Sequence, residues 1–319
     1  MNTHYDNFLK ALSKRFTNKS ELTRALMDIL PLERESIYRR LRQDVMFTPE
    51  EIMKTAGAMD ISLDNIVSRA DGKQRPFRLN MINYTNPDEY DYNILERYNG
   101  LFELAARDPA TELMEIGRAI PGMIYSAYEN LSRFLTMKWH YKYGDPEHNT
   151  PLSEIHVTER MRGIEKKFVE FARNLPNIYA IYDRRFIEYM IDEIAYFHSI
   201  RMITADELLV LKGELLELME CMEEISLKGY LPQTGSKFFF YLSYTCLEAE
   251  YSLLGSKHLT LSVIKALERN GIASFDKHVF EKFKNMVRAT MRLSVLMSSS
   301  NRLELIRFFD NHKRMAESI

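Results

Sequence analysis

A stretch of ten consecutive residues in this chain is rich in side chains that can form hydrogen bonds with nucleic acids. Residues 34–43 read RESIYRRLRQ and hold four Arg against one Glu, a local charge of 4 − 1 = +3. An Arg guanidinium can bind guanine through two hydrogen bonds, Gln pairs with adenine, Ser pairs with either base, and Arg also binds phosphate. The stretch therefore contains groups by which proteins contact DNA, provided that one element presents them together.

The spacing predicts a helix from about residue 33 to residue 43. Ile37 and Leu41 lie four residues apart and must face the interior, because residues i and i+4 share one helix face. At about 100° per residue, Arg39 points almost directly away from that pair. The remaining polar residues are placed with Glu35, Ser36, Arg42 and Gln43 on the exposed side, Tyr38 and Arg40 on its flanks, and Arg34 near the core edge. Ordinary surface helices also carry charged outer faces, so a purely structural helix is the competing interpretation.

The surrounding residues predict four more short helices, most of them with clear start signals. An apolar stripe indicates a first helix over about 5–16, and Asn18 begins a capping box for the second, which Pro31 ends. Thr48 caps the fourth helix in the segment FTPEEI, and Ser62 caps the fifth. Five helices within about 65 residues predict a compact domain, with the arginine-rich helix as its third element.

This arrangement resembles the phage-repressor-like (lambda repressor/Cro-type) helix-turn-helix domain. The resemblance covers about residues 5–68. It rests on Ala25 in the first motif helix, on Ile37 or Tyr38 with Leu41 in the second, and on the following FTPEEIMKTAGAMDISLDNIV. It implies that the third helix enters the major groove of duplex DNA.

The turn between the two motif helices departs from the family pattern. Residues 29–32 read ILPL where family members usually have a tight turn containing Gly, and this segment is a residue or two longer. The register of the recognition helix is therefore open by about one position. Taken whole, the chain also resembles helix-turn-helix regulators of Bacteroides-type bacteria that carry a large helical C-terminal region.

The resemblance assigns roles to individual residues in this domain. The predicted base contacts are Ser36 and Arg39, with Glu35 and Gln43 as further candidates, and the predicted phosphate contacts are Arg40, Arg42, Tyr38 and Lys19. One such domain covers too few base pairs for high specificity, so a homodimer on a two-fold-related DNA site is expected. The domain is not basic overall, since its first 72 residues hold 11 Lys and Arg against 11 Asp and Glu, or 11 − 11 = 0.

The rest of the chain is expected to be mainly α-helical. Residues 71–90 mix Gly, Pro, Asn and Asp without a sustained period and predict a linker. Residues 91–319 predict a helical region for dimerisation and signal input by an effector that is not identified. Its helices are predicted at about 92–107, 110–120, 122–143, 153–174, 178–199, 205–228, 260–270, 277–299 and 302–313. A short β element is predicted near 238–254, with a buried helix as the alternative.

One of these helices has coiled-coil spacing. Its apolar residues at alternating three- and four-residue intervals are Leu208, Leu211, Leu215, Leu218, Met222 and Ile225. Leu209, Leu216 and Met219 widen the stripe, and a wide stripe favours packing inside a domain over a two-stranded coiled coil.

Composition excludes several classes of protein. There is no Gly-rich phosphate loop, no HExxH and no CxxC, and the eight His lack ligand spacing, so no catalytic residue, metal or cofactor is expected. The net charge of −2 argues against a protein that coats nucleic acid. No apolar run approaches the length of a membrane span, and no signal-peptide pattern is present, which favours a cytoplasmic protein without membrane contact.

Two functional hypotheses follow from these patterns. The leading one is a sequence-specific DNA-binding transcriptional regulator, with the helix at 33–43 in the major groove. The alternative is a helical protein-interaction scaffold without DNA binding. An enzyme in the C-terminal region has no set of residues to support it.

Overall fold

The chain folds into two compact units that divide between Pro76 and Phe77. A computed structural model describes residues 4–13, 15–16, 18–59, 61–63, 66–67, 77–145, 149–245, 247, 249–266, 269–298 and 301–319. Each unit is described by itself below. The predicted linker at 71–90 includes a short strand at Arg78–Asn80, which belongs to the second unit.

The first unit is a small helical domain. Its helices are α1 His4–Ser13, α2 Lys19–Ile29, α3 Arg34–Leu41 and α4 Pro49–Ala58. Leu63, Ile66 and Val67 also have helical backbone, and the rest of the predicted fifth helix lies outside the described residues.

Local signals position these helices. The Asn18 side chain accepts a hydrogen bond from the Glu21 amide at 2.9 Å, and Thr48 and Glu51 form both halves of a capping box. Leu12, Leu26 and Ile37 are fully buried in the common core, where each contributes roughly 1.5–3 kcal/mol.

The second unit is built on an eight-stranded mixed sheet. Its strands are β1 Arg78–Asn80, β2 Glu112–Gly117, β3 Asn177–Asp183, β4 Lys237–Ser243, β5 Glu250–Gly255, β6 Thr260–Ala266, β7 Asn270–Ser274 and β8 Ser294–Met297. They lie in the order β1-β7-β6-β5-β2-β3-β4-β8. Strands β2, β3 and β4 are parallel at the centre, and every other pairing is antiparallel.

Helices cover both faces of this sheet. They are α5 Glu89–Ala106, α6 Gly122–Tyr125, α7 Glu129–Tyr143, α8 Glu159–Arg173, α9 Phe186–Ser199, α10 Ala205–Lys228, α11 Lys277–Arg292 and α12 Arg302–Glu317, with a short 3-10 turn at Leu152–Glu154. On one face, strand residues such as Phe240 pack against Phe186 of α9 and Phe309 of α12. On the other face, Phe280 and Val287 of α11 pack against the sheet.

Gly255 of β5 lies directly against the Phe280 ring of α11. A Cβ at this position would overlap the Phe280 ring, so a larger residue would require that ring to move.

The prediction of a mainly α fold is wrong, since the second unit is α/β. Residues 110–120 were predicted as helix but contain β2, whose sequence ELMEIG is rich in helix-favouring Leu, Met and Glu. A central strand is buried on both faces, so it shows a continuous apolar run and lacks the alternation that identifies half-exposed strands. The predicted helix 178–199 likewise begins with β3, and only its later part is α9.

Two further segments that were predicted as helix contain strands. The predicted helix 260–270 is β6 and the start of β7, and the predicted helix 277–299 ends at Arg292 and is followed by β8. The prediction of strands near 238–254 is confirmed by β4 and β5, so the alternative of a buried helix there is wrong.

The leucine stripe of α10 packs inside its own unit, as predicted. Leu211, Leu215, Leu218, Met222 and Ile225 are buried at 0–1% exposure. The stripe is therefore already covered within the chain and is not a free coiled-coil seam.

Candidate nucleic-acid interface

The first unit holds α3 against α2 through a short apolar connection. Leu30 is the C-cap residue that follows α2; it is buried, and its backbone amide donates to the Leu26 carbonyl at 2.9 Å. Glu33 is the N-cap residue of α3, and its side chain makes no capping hydrogen bond. Within α3, Ile37 is fully buried and Leu41 half-buried, so the opposite side of the helix faces solvent.

Arg39 occupies the centre of that solvent-facing side. Its side chain is exposed, and within the described part of the chain its guanidinium makes no hydrogen bond or ion pair. Its carbonyl, in contrast, accepts from the amides of Asp44 at 2.9 Å and Val45 at 3.4 Å. The backbone at Arg39 is thus anchored while the charged group keeps its full capacity for an external anion.

Ser36 and Lys19 are also available to an external ligand. Ser36 is half-buried, and its hydroxyl has no partner among the described residues. Lys19 is exposed at the first position of α2, where its ammonium group is likewise unpaired within the described ranges. Amides at a helix N-terminus favour a nearby phosphate, which adds to the charge of Lys19.

Arg42 and Glu35 pair with each other at the surface. Arg42 Nη2 lies 3.1 Å from Glu35, and its Nε lies 3.2 Å from Asp44. The Arg42 side chain is 60% exposed, and exposed pairs of this kind contribute only about 0–1 kcal/mol. A phosphate can therefore replace the carboxylates around Arg42 at small cost.

Arg40 is occupied inside the unit. Its Nε and Nη2 each donate to a different oxygen of Glu51 at 2.9 Å, and its Nη1 donates to the Ser36 carbonyl at 3.3 Å. The pair is largely buried, with side-chain exposures of 14% for Arg40 and 16% for Glu51. This geometry disfavours the predicted phosphate contact and makes Arg40 the link between α3 and α4.

Tyr38 and Gln43 lie at the margins of the exposed side. Arg34 donates to the Tyr38 hydroxyl at 3.2 Å, and this hydrogen bond lowers the pKa of Tyr38. Gln43 lies beyond the end of α3, in left-handed backbone with a φ of 67°, and its side-chain Nε2 donates to Asp6 Oδ1 at 3.3 Å. The helix is therefore shorter than predicted and does not carry Gln43 on its outer face.

One further cation was absent from the predicted set. Arg24 is exposed on α2 and has no partner among the described residues. It lies directly opposite the buried Leu22 and Leu26, so the helical phase that identified Arg39 could have found it as well.

The second unit contains a buried polar cluster near the carboxyl ends of β2 and β3. Glu115 accepts from the Tyr182 hydroxyl at 3.1 Å and from Lys265 at 3.4 Å. Burial raises the pKa of Tyr182 well above its ordinary value, and the neighbouring Glu115 raises it further. Burial alone would lower the pKa of Lys265, but the carboxylates of Glu115 and Glu250 outweigh it and raise that pKa. These groups thus form hydrogen bonds with one another inside the unit.

A second buried pair lies between Arg269 and Glu165. Arg269 Nη2 donates to Glu165 at 2.7 Å, and its Nη1 donates to Thr136 at 3.2 Å. The guanidinium also lies 4.1 Å from the centre of the Tyr84 ring. Burial raises the pKa of Tyr84 to about 12, although the charge of Arg269 opposes the shift.

Tyr84 should make the unfolding free energy sensitive to alkaline pH. Its pKa is about 12 in the folded chain against an ordinary 10, so its stabilisation is complete below pH 10 and is lost as the pH rises towards 12. Two pKa units correspond to about 2.7 kcal/mol. We expect Tyr84→Phe to reduce this alkaline loss in urea titrations at several pH values. The exposed Tyr90→Phe serves as the control, and an unchanged loss in Tyr84→Phe would contradict the prediction.

Within the described residues, no group of three or more His, Cys, Asp or Glu side chains is placed to hold a metal ion. None of the helices in that part of the chain is both long enough and apolar enough to span a membrane. Comparison with protein-family models, with curated proteins and with solved structures finds no match for this chain.

Proposed function

We propose that this chain is a DNA-binding transcriptional regulator whose helix α3 enters the major groove. The observation that supports the proposal most is the exposed guanidinium of Arg39, which is unpaired in the described part of the chain. Its helix is anchored on the opposite side by the buried Ile37. An unpaired surface Arg can form two hydrogen bonds with guanine without first breaking an internal ion pair.

The proposed interface contains fewer residues than the set predicted from sequence. Arg39 and Ser36 would read base edges, while Lys19 and Arg42 would hold phosphates. Arg40 is assigned to the internal bond with Glu51 and leaves the proposed interface. The predicted base contact of Gln43 also loses support, because that residue lies past the helix and bonds to Asp6.

A single recognition helix reads only a few base pairs, so the proposal includes a homodimer on two half-sites about one helical turn apart. The second unit, residues 77–319, would supply the contacts between protomers. A two-fold-symmetric duplex should then bind with two protomers, which sedimentation of the complex can measure.

Replacing Arg39 with Ala tests the proposal directly. Preferred duplexes would first be selected from a random library with the full chain, and binding would then be followed by fluorescence anisotropy between 50 and 200 mM salt. We expect Arg39→Ala to weaken binding to the selected duplex by roughly 10- to 100-fold, since one bidentate base contact contributes about 1–3 kcal/mol. Its effect on a scrambled duplex should be smaller.

The control is Arg107→Ala, which removes an exposed Arg paired with Glu103 in the second unit. We expect it to leave the affinity unchanged within about twofold, since its exposed pair contributes little. No duplex binding at 50 mM salt, or an Arg39→Ala chain that binds like the parent, would refute the regulator function.

A protein-docking surface is the second candidate. Met27, Met46 and Met53 are exposed in the first unit at 42%, 65% and 58%. Flexible, polarisable Met side chains are common at surfaces that bind other proteins. If duplex DNA does not bind at low salt, these residues are the place to look for a protein partner.

A further inference from the structure

Helix α11, Lys277–Arg292, has two contrasting faces. Its apolar face packs on the sheet through residues such as Val279, Phe280 and Val287. The exposed residues of its outer face are four cations, Lys277, Lys282, Arg288 and Arg292, together with His278, Glu281, Asn285 and Met286. The helix as a whole carries five Lys and Arg against one Glu, a charge of 5 − 1 = +4.

The cations of this outer face lack partners within the described part of the chain. Lys284, on the inner side, pairs with Glu112, but Lys277, Lys282, Arg288 and Arg292 form no hydrogen bond or ion pair with any described residue. Other helices of the unit mix paired and unpaired exposed cations: Arg162 of α8 pairs with Glu129, whereas Lys166 and Lys167 of the same helix and Arg302 and Arg307 of α12 have no hydrogen-bond or ion-pair partner among the described residues. With four, α11 carries the largest number of such unpaired cations on any described helix of the unit.

We infer that the outer face of α11, defined as Lys277, Lys282, Arg288 and Arg292, binds the phosphate backbone of duplex DNA. This inference rests on the proposed function, because a chain whose first unit binds DNA brings a second weak contact to high effective concentration. The face carries no base-reading pattern, so its contribution is independent of sequence.

The geometry of the helix suits a phosphate backbone. Lys277, Arg288 and Arg292 fall within about 60° of one another around the helix, in a row that also contains Glu281, and span about 22 Å at 1.5 Å per residue, while Lys282 lies on the other flank of the exposed side. Each strand of a duplex carries one negative charge per roughly 3.4 Å of helix axis, so such a row faces several phosphates at once.

The packing of α11 argues against a membrane as the partner. A helix that lies in a membrane surface inserts its apolar face among the lipids. In α11 that face is already used, since Phe280 and Val287 are buried against the sheet. Only electrostatic attraction to lipid headgroups would then remain for a membrane. We expect the four unpaired cations to bind better to the regularly spaced phosphates of duplex DNA.

The test removes charge from this face in the full-length chain. Arg288→Gln/Arg292→Gln eliminates two cations from α11, and Arg107→Gln/Arg162→Gln eliminates two from elsewhere in the unit. Both variants change the net charge equally, from −2 to −4. Binding to a scrambled duplex would be measured by anisotropy from 50 to 200 mM salt.

We expect the α11 variant to reduce the slope of log affinity against log salt by about 1.8, or about 0.9 for each lost phosphate contact, and to bind roughly tenfold more weakly at 50 mM. The control variant should keep the parental slope. Because the replaced side chains are exposed, thermal melting should be close to that of the parent. If the α11 variant nevertheless melts at a lower temperature than the parent, Lys277→Gln/Lys282→Gln provides a second variant. It should reduce the salt slope and the duplex affinity by the same amounts.

Several outcomes would overturn the inference. An unchanged slope of log affinity against log salt in the α11 variant would overturn it. An equal loss of duplex affinity in the α11 variant and in the Arg107→Gln/Arg162→Gln control would show that only the net charge of the chain matters. Binding of the outer face to anionic phosphatidylserine vesicles or to polyglutamate, with duplex affinity unaffected, would identify a different partner.

A parallel Arg39→Ala chain separates this inference from the proposed function. If Arg39→Ala weakens binding to the selected duplex while the α11 variant matches the parent, the regulator function stands and the inference fails. If only the α11 variant weakens binding, the inference stands and the role of α3 fails.

Discussion

Replacing Arg269 with Leu is expected to lower the free energy of unfolding of the second unit by about 3–5 kcal/mol. The side chains of Arg269 and Glu165 are each only 13% exposed, and their closest atoms lie 2.7 Å apart. Leu would leave the Glu165 carboxylate buried with the Ser132 hydroxyl at 2.8 Å as its remaining partner. A buried charge without a counter-ion is far more costly than an absent pair.

The cost should fall when both charges are removed. Arg269→Leu/Glu165→Leu eliminates the buried carboxylate, so we expect it to recover most of the lost stability. The matched control is Arg162→Leu, which breaks an exposed pair with Glu129 and should cost less than about 1 kcal/mol. Urea unfolding followed by circular dichroism measures all three. If the free energy of unfolding of Arg269→Leu is no lower than that of Arg162→Leu, the Arg269–Glu165 pair does not stabilise the unit.

Replacing Arg40 with Ala is expected to destabilise the first unit by about 3 kcal/mol or more. Arg40 donates two hydrogen bonds to Glu51, which also accepts the Thr48 amide at 2.9 Å in the capping box of α4. Without the guanidinium, the largely buried Glu51 carboxylate has lost its counter-ion, and the link between α3 and α4 is broken. A unit of fewer than 80 residues has only several kcal/mol of stability in total, so this loss is a large fraction of it.

Arg42→Ala is the matched control for this variant. It removes an Arg two residues along the chain, but one whose pairs are exposed, so the expected loss is below about 1 kcal/mol. The measurement is thermal melting of the full chain, with α3 and α4 followed by hydrogen exchange of their amides. Equal melting of the two variants would contradict the role of Arg40 as an internal link.

Acid should weaken the same link. Burial alone would raise the pKa of Glu51, but the hydrogen bonds from Arg40 and the Thr48 amide outweigh it and hold that pKa below its ordinary value. A carboxylate whose pKa is lower in the folded than in the unfolded chain stabilises the folded state fully at pH values above its unfolded pKa. This contribution is lost as the pH falls through the pKa of the folded chain. The Arg40→Ala chain should therefore lose less stability on acidification than the parent.

Much of the first unit is encoded in short stretches of sequence. Asn18 and Thr48 cap their helices as predicted, because a cap depends on residues only three positions apart. The exposure of Arg39 followed from its phase relative to Ile37 and Leu41, which is also a local property. The side-chain partner of Arg40 was not predictable in this way, since Glu51 lies eleven residues away on another helix.

The second unit shows the limit of local patterns most clearly. Strands β2 and β3 are buried on both faces, so their apolar residues have no alternation to separate them from helix, and the sheet was largely missed. The cluster around Glu115 depends on Tyr182 and Lys265, which are 67 and 150 residues away along the chain. Only the pairing of β2 with its neighbours brings these side chains together.

By itself, the sequence determined where the helices of the first unit begin, which side of α3 faces solvent, and that the α10 stripe is buried. Tertiary structure decided which charges are free. Arg40 and Arg39 are adjacent in sequence and identical in chemistry, yet one is bound to Glu51 and the other is available to an external anion. The physical reason is that a charge is neutralised by whatever folds within about 3–4 Å of it, and chain topology, more than sequence neighbourhood, sets that distance.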